Sequence, residues 1–130
     1  MKVKAAYIAD GLQTLVAFAE KPMPVALAAK MLRLVEDLQK EGKLIEKQRK
    51  LIIEKYATKD DKGQLIVTDG NVSFKDTTTS QQAQVELDEL ANLEVEIKDR
   101  NITEDELVKA NLQLTMSQFA ALKNFLHVEE

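Results

Sequence analysis

His127 is the only histidine in a chain that contains no cysteine. The side chains able to run acid–base, thiolate or soft-metal chemistry near neutral pH are therefore almost absent. His127 stands near the carboxyl terminus with no sequence neighbour to orient an imidazole, so a solvated terminal side chain is expected rather than a general base. Ser73, Ser80 and Ser117 each fall where a turn, a strand or a helix cap accounts for a hydroxyl. Asp99, Glu104, Asp105 and Glu106 form an acidic cluster that could offer hard oxygen ligands to a cation. Their spacing does not follow a calcium-binding loop, and a helix dipole alone favours carboxylates in its first turn. Gly63 and Gly70 belong to turns, and no glycine-rich phosphate loop occurs. No catalytic, cofactor-binding or metal-binding residue is nominated, and no cofactor is expected.

Nucleic acid is the more serious alternative. Lys40, Lys43, Lys47, Arg49 and Lys50 lie close together, but they alternate with Glu36, Asp37, Glu41 and Glu46 and carry no interleaved aromatics. With a formal charge of −4 over the whole chain, this pattern predicts a solvated helical face rather than a phosphate-binding one. An enzyme is not expected.

A length of 130 residues with 45% apolar side chains suits one domain with a modest core, here 1–130. Two tyrosines, four phenylalanines and no tryptophan leave Leu, Ile, Val, Ala and Met to build the interior, which favours helix packing. The apolar run after Lys2 and Lys4 is interrupted by Asp10 and Gln13 and lacks a signal-peptide pattern. No segment approaches the roughly 20 apolar residues of a membrane span, so no membrane partner is expected. The absence of cysteine gives no sign of an oxidising compartment and makes a reducing cytoplasm the default. Charge is polarised: residues 1–62 hold 13 Lys and Arg against 9 Asp and Glu, whereas residues 63–130 hold 5 against 13. Opposite halves of this kind can attract each other within one fold or between subunits.

The elements that must position these residues begin with a first helix over about 6–20, its apolar face formed by Ile8, Leu12, Leu15, Val16 and Ala19. Lys21-Pro22-Met23-Pro24 breaks it, with Pro24 suited to the first turn of the next helix. That second helix runs from about Pro24 to Tyr56, roughly 50 Å at about 1.5 Å per residue. Ala28, Met31, Val35, Leu38, Gly42, Ile45, Arg49, Ile52 and Tyr56 alternate steps of three and four, a coiled-coil-like stripe. The first helix is long enough to cover only its near half. Gly42, at a cost of about 1 kcal/mol relative to alanine, marks either a close approach of another helix, a bend, or a break into two helices.

Beyond Tyr56, the charged segment 57–63 ends the helix. Gln64–Thr68, Asp69-Gly70 and Asn71–Lys75 read as a β-hairpin. Thr79 and Gln82 have capping-box spacing at the start of a third helix, whose apolar face is Ala83, Leu87, Leu90 and Ala91, with Glu86, Asp88 and Glu89 opposite. This helix is a candidate to lie on the basic far half of the second. Leu93, Val95 and Ile97 alternate with charges as a half-buried strand or extended segment. Thr103 with Glu106, and Thr115 with Gln118, start two short helices near 104–110 and 116–126, bridged by an extended Leu112 and Leu114. The expected class is mainly α (α+β): a long helical hairpin with a small β-hairpin and short C-terminal helices.

The order of these features resembles a family of small proteins of tailed bacteriophages and prophages. The likeness rests on the Leu-rich first helix and the Pro22-Met23-Pro24 corner. It extends to the helix ending in Glu46-Lys47-Gln48-Arg49-Lys50-Leu51-Ile52-Ile53-Glu54-Lys55-Tyr56, the Lys59-Asp60-Asp61-Lys62-Gly63 turn, and Leu112-Gln113-Leu114-Thr115 before a short helix. It covers nearly the whole chain and is structural rather than catalytic. The family pattern has Leu-Pro at the corner and often a proline in the last cap, where this chain has Met23-Pro24 and Thr115-Met116-Ser117. Members are mostly domains of unknown function encoded near tail or lysis modules, so the resemblance transfers no catalytic residue. It implies a non-enzymatic phage protein of the host cytoplasm or the virion, a tail-associated component or assembly factor. The apolar stripe adds a contact surface through Val35, Leu38, Gly42, Ile45, Arg49, Ile52 and Tyr56, with a second copy or other phage proteins as partners. A phage regulator or inhibitor gripping a host protein is the alternative.

Overall fold

The computed structural model describes residues 1–68 and 71–127. Its elements are β1 (Lys2–Lys4), α1 (Ala5–Ala17), α2 (Val25–Tyr56), β2 (Val67–Thr68), β3 (Asn71–Val72), α3 (Thr77–Asn92), β4 (Glu94–Glu96), α4 (Glu104–Lys109) and α5 (Met116–Lys123). The mainly helical class with one long helix, a small antiparallel hairpin and short C-terminal helices is therefore present. The chain packs as two compact units, one of residues 1–43 and 94–130 and the other of Leu44–Leu93. Among the described residues no helix is long and apolar enough to cross a membrane.

In the first unit β1 pairs antiparallel with β4, setting Lys2, Val3 and Lys4 opposite Glu96, Val95 and Glu94. The cross-strand partners at both ends are opposite charges, the favourable arrangement for such a pair. The alternation at Leu93, Val95 and Ile97 thus reads correctly as a strand, but its partner β1 was not anticipated. Leu93 is exposed and Ile97 buried, so burial deepens along the segment.

α1 follows β1 without a side-chain cap and buries Ala5, Ile8, Gly11, Thr14 and Leu15. The expected face is rotated: Val16 and Ala19 are exposed and Leu12 only half-buried, while Phe18 at the C-cap is buried. The reason is close packing against α5 and the residues after it. A Cβ built on Gly11 would overlap the Phe125 ring, whose Cζ lies 2.9 Å away. Small residues on α1 let that ring come near the helix backbone.

The corner is held by Lys21. Its N–H donates to the Phe18 carbonyl at 2.9 Å, its ammonium lies 5.1 Å over the Phe18 ring, and Nζ donates to the Gln113 carbonyl at 3.2 Å. α2 then starts at Val25, with the Pro24 carbonyl accepting from the Ala28 N–H at 2.9 Å. It continues through Gly42 as one helix. Its buried residues are Leu27, Met31, Leu34 and Leu38, so the stripe holds at Met31 and Leu38 but is centred on Leu27 and Leu34 rather than Ala28 and Val35. The four belong to the same buried set as Ile97, Ile102, Leu107, Leu122, Phe125 and Leu126.

α4 and α5 start as the sequence predicts. Thr103 with Glu106 and Thr115 with Gln118 each form a complete capping box, satisfying otherwise orphaned N–H groups at both helix starts. Asn101 and Asn111 take φ of 58° and 57°, the left-handed conformation that asparagine tolerates better than most residues.

In the second unit β2 and β3 form the hairpin pair Val67↔Val72 and Thr68↔Asn71; the Asp69-Gly70 turn lies outside the described residues. The hairpin gains a third extended segment through the bridges Ala57↔Phe74 and Lys59↔Leu65. The intervening turn is closed by Asp60, whose Oδ1 accepts from the N–H groups of Lys62 and Gln64, each at 2.9 Å, and by Gly63 at φ +78°. α3 starts earlier than expected. Its N-cap is Asp76, whose carboxylate accepts from the Thr79 N–H at 2.7 Å, because an aspartate at the N-cap offers a charge-assisted bond that the hydroxyl of Thr79 does not match.

The two glycines make opposite predictions. At Gly42 a Cβ would sit 3.9 Å from Ile8 Cγ2, an ordinary contact, so Gly42→Ala should raise stability by about 1 kcal/mol through helix propensity. Gly11→Ala should lower it by about 1–3 kcal/mol through overpacking on Phe125. Urea unfolding of the two variants checks both signs.

Candidate functional site

Of the residues predicted to form a contact surface, Val35, Leu38 and Gly42 lie in the first unit. Leu38 is fully buried in its core, so it offers nothing to a partner. Val35 is half-buried on an apolar groove of about 250 Å³ that also includes Phe18, Met23, Met31 and Leu32. Gly42 is half-buried, with Ile8 as the neighbour its missing Cβ would meet.

Ile45, Arg49, Ile52 and Tyr56 lie in the second unit. Ile45, Ile52 and Tyr56 are half-buried, whereas Arg49 is exposed and pairs with Glu46 at 3.4 Å. Beside this stripe runs a second one that sequence reasoning missed. Leu44 is 50% exposed and Leu51 57% exposed, seven residues apart on one face, and Lys47 and Gln48 between them are exposed too. The heptad spacing of the two leucines was the available signal, hidden by the stronger Ile45–Ile52–Tyr56 pattern.

The acidic third helix does engage the far end of α2, through a residue assigned to the wrong side. Glu86 was expected on the outer acidic face of α3; it is instead half-buried. Its Oε1 accepts from Lys55 Nζ at 3.1 Å, and its Oε2 is sealed from solvent without a hydrogen-bond partner. The Glu86 carboxylate, and after it Tyr56, raises the Lys55 pKa. The Lys55 ammonium also lies 5.0 Å over the Tyr56 ring. Asp88, Glu89 and Val85 of α3 remain exposed.

His127 is not a free terminal side chain. Its Nδ1 lies 2.6 Å from Asp99 Oδ2, and its backbone N–H donates to the Ile102 carbonyl at 2.7 Å. Asp99 Oδ1 accepts from the Asn101 N–H at 2.8 Å. His127 and this N–H together hold the Asp99 carboxyl below its ordinary value. A carboxylate orients an imidazole in this way in many acid–base sites. Here the hydroxyl that shares the adjoining cleft, Thr103, is engaged as the cap of α4, accepting from the Glu106 N–H at 3.1 Å. The contact ties the chain end to the turn before α4.

The acidic cluster is divided among separate partners. Besides the Asp99 contact, Asp105 pairs with Lys109 at 2.8 Å and Glu106 with Lys30 at 2.8 Å. Among the described residues no group of three or more His, Cys, Asp and Glu side chains converges as metal ligands would.

Lys30 is the main reason that the Glu106 pKa is lowered from 4.5. A carboxyl depressed on folding contributes stability that is present above its unfolded value and is lost as pH falls through the folded value. Stability should therefore decline below about pH 4.5, the usual Glu range. Glu106→Gln should flatten that decline while lowering stability at pH 7, as read by urea unfolding across pH 2–7.

Comparison with known proteins adds no relative: no protein-family model, no curated protein and no solved structure matches this chain.

Proposed function

We propose that this chain is a non-enzymatic protein of a tailed bacteriophage or prophage. It works through protein–protein contact as a virion or tail-associated component or an assembly factor, and it self-associates through the Leu44–Tyr56 part of α2. The observation that supports self-association is the uneven burial of the two units. Fifteen of the sixteen buried apolar residues among those described belong to the first unit. The second, residues 44–93, contributes Ala83 alone. Among its larger apolar side chains, Ile45, Ile52, Ile53, Tyr56, Leu65, Phe74, Leu87 and Leu90 are half-buried, and Leu44, Leu51, Ile66, Val85 and Leu93 are exposed. Units of this size are marginal even with a complete core, and a partner that excludes water from these side chains adds what the unit lacks. The phage assignment is supported by the ordered resemblance of helix, corner, long helix and terminal caps.

Sedimentation of the purified protein should show association that grows with concentration in the micromolar range. Leu44→Asp with Leu51→Asp should abolish it while leaving the helical circular dichroism intact, because both positions are exposed on a helix. A monomer at every concentration overturns the self-association. Mass spectrometry of purified virions should find the protein; its absence from virions, with capture of one host protein, would favour the inhibitor reading instead.

A further inference from the structure

We infer that the partner face of the Leu44–Leu51 stripe is the acidic outer face of α3 on a second copy of this chain. The inference rests on the self-association proposed above and specifies its geometry. The α2 face presents Leu44 and Leu51 with Lys47 and Lys50 beside them, all exposed, and neither lysine has an ion-pair partner among the described residues. Glu54, at the edge of this face, is half-buried. The α3 face presents Val85, 56% exposed, flanked by Asp88 and Glu89. α3 contains no Lys or Arg over its whole length. The Asp88 carboxylate accepts from the neutral Gln84 amide, at 2.8 Å, and neither Asp88 nor Glu89 has a cationic partner among the described residues.

Charge decides between the possible pairings. Laying α2 on α2 brings Lys47 and Lys50 of one copy towards the same lysines of the other, and laying α3 on α3 does the same with Asp88 and Glu89. Like charges brought together across an interface cost several kcal/mol. Only α2 against α3 sets two cations facing two carboxylates around apolar centres. Each copy carries both faces, so a two-fold pair makes the contact twice and leaves neither face open. The chain's own α3 is already committed at the last turn of α2, where Glu86 meets Lys55.

Charge reversal in two separate proteins tests this. One carries Lys47→Glu and Lys50→Glu; the other carries Asp88→Lys and Glu89→Lys. Each alone should associate at least about tenfold more weakly than the unmodified chain, as expected for juxtaposed like charges. An equimolar mixture should recover the original association, because one contact is restored with its charges exchanged and the other keeps its native charges. Far-ultraviolet circular dichroism separates unfolding from dissociation. If a reversal unfolds, Lys47→Gln with Lys50→Gln, or Asp88→Asn with Glu89→Gln, takes its place, and each should weaken association and flatten its dependence on salt. If the unmodified chain is monomeric, the self-association reading falls and this inference with it. If it associates but the variants associate equally well, or the mixture stays dissociated, the α2–α3 pairing is overturned while self-association stands.

Discussion

The first unit depends on the burial of four side chains along one helix. Leu27, Met31, Leu34 and Leu38 form a buried apolar row over three turns of α2, and other parts of that unit contribute to the same buried set. α1 brings Ile8 and Leu15, the segment after β4 brings Ile97 and Ile102, and the last helix brings Leu122 with Phe125 after it. Each fully buried side chain of this kind is worth about 1.5–3 kcal/mol, more than the roughly 0–1 kcal/mol of an exposed ion pair. The polar contacts fix register rather than supply the driving force. Arg100 donates to both oxygens of Asp37, at 2.7 and 2.9 Å, and Lys30 bonds both Glu106 and the Asn101 carbonyl. These fasten the 99–107 segment to α2 at two points, and Asp37 raises the Arg100 pKa further above its already high value.

The polarised charge of the chain finds a partial outlet in these contacts. Lys30 with Glu106 and Lys55 with Glu86 each join the basic first part of the sequence to the acidic second part, one in each unit. Arg100 with Asp37 runs the other way, a cation from the acidic part on a carboxylate from the basic part. Composition asymmetry therefore does not reduce to one half of the chain lying on the other. Lys47 and Lys50 on α2 and Asp88 and Glu89 on α3 are among the charges that stand outside these pairs.

Local chemistry was legible in the sequence, and long-range partners were not. The capping boxes at Thr103 and Thr115, the corner at Pro22 and Pro24 and the full extent of α2 are decided within a few residues by hydroxyls, ring closure and periodicity, so sequence alone exposes them. α3 shows the limit of that method: Thr79 and Gln82 match the box, but Asp76 three residues earlier is the better acceptor. β1 had no internal signal, because three residues alternating lysine and valine acquire meaning only opposite Glu94 and Glu96. Gly11 and Gly42 are equally bare as letters, and only the position of Phe125 separates a glycine that must stay small from one that need not. His127 was misjudged for the same reason, since Asp99 lies 28 residues away in sequence. Among candidate contact residues, Leu38 is consumed by the core, while Val35 and Gly42 are half-buried. The exposed Leu44 and Leu51 carry a heptad spacing of their own, masked by the stronger Ile45–Ile52–Tyr56 pattern beside it.

The division of the chain also has a consequence for the order in which it folds. The first unit is assembled from two separated stretches, 1–43 and 94–130, with the whole of the second between them. During synthesis Leu27, Met31, Leu34 and Leu38 emerge long before Ile97, Ile102, Leu122 and Phe125, which share their buried set. Closing the β1–β4 pair then requires a loop of about 90 residues, which costs more entropy than any local contact in the chain. The segment made in the meantime folds through short-range hairpin and helix contacts but has little core of its own to hold it. A nascent chain therefore carries these apolar side chains of α2 before α5, which packs on α1, has been made.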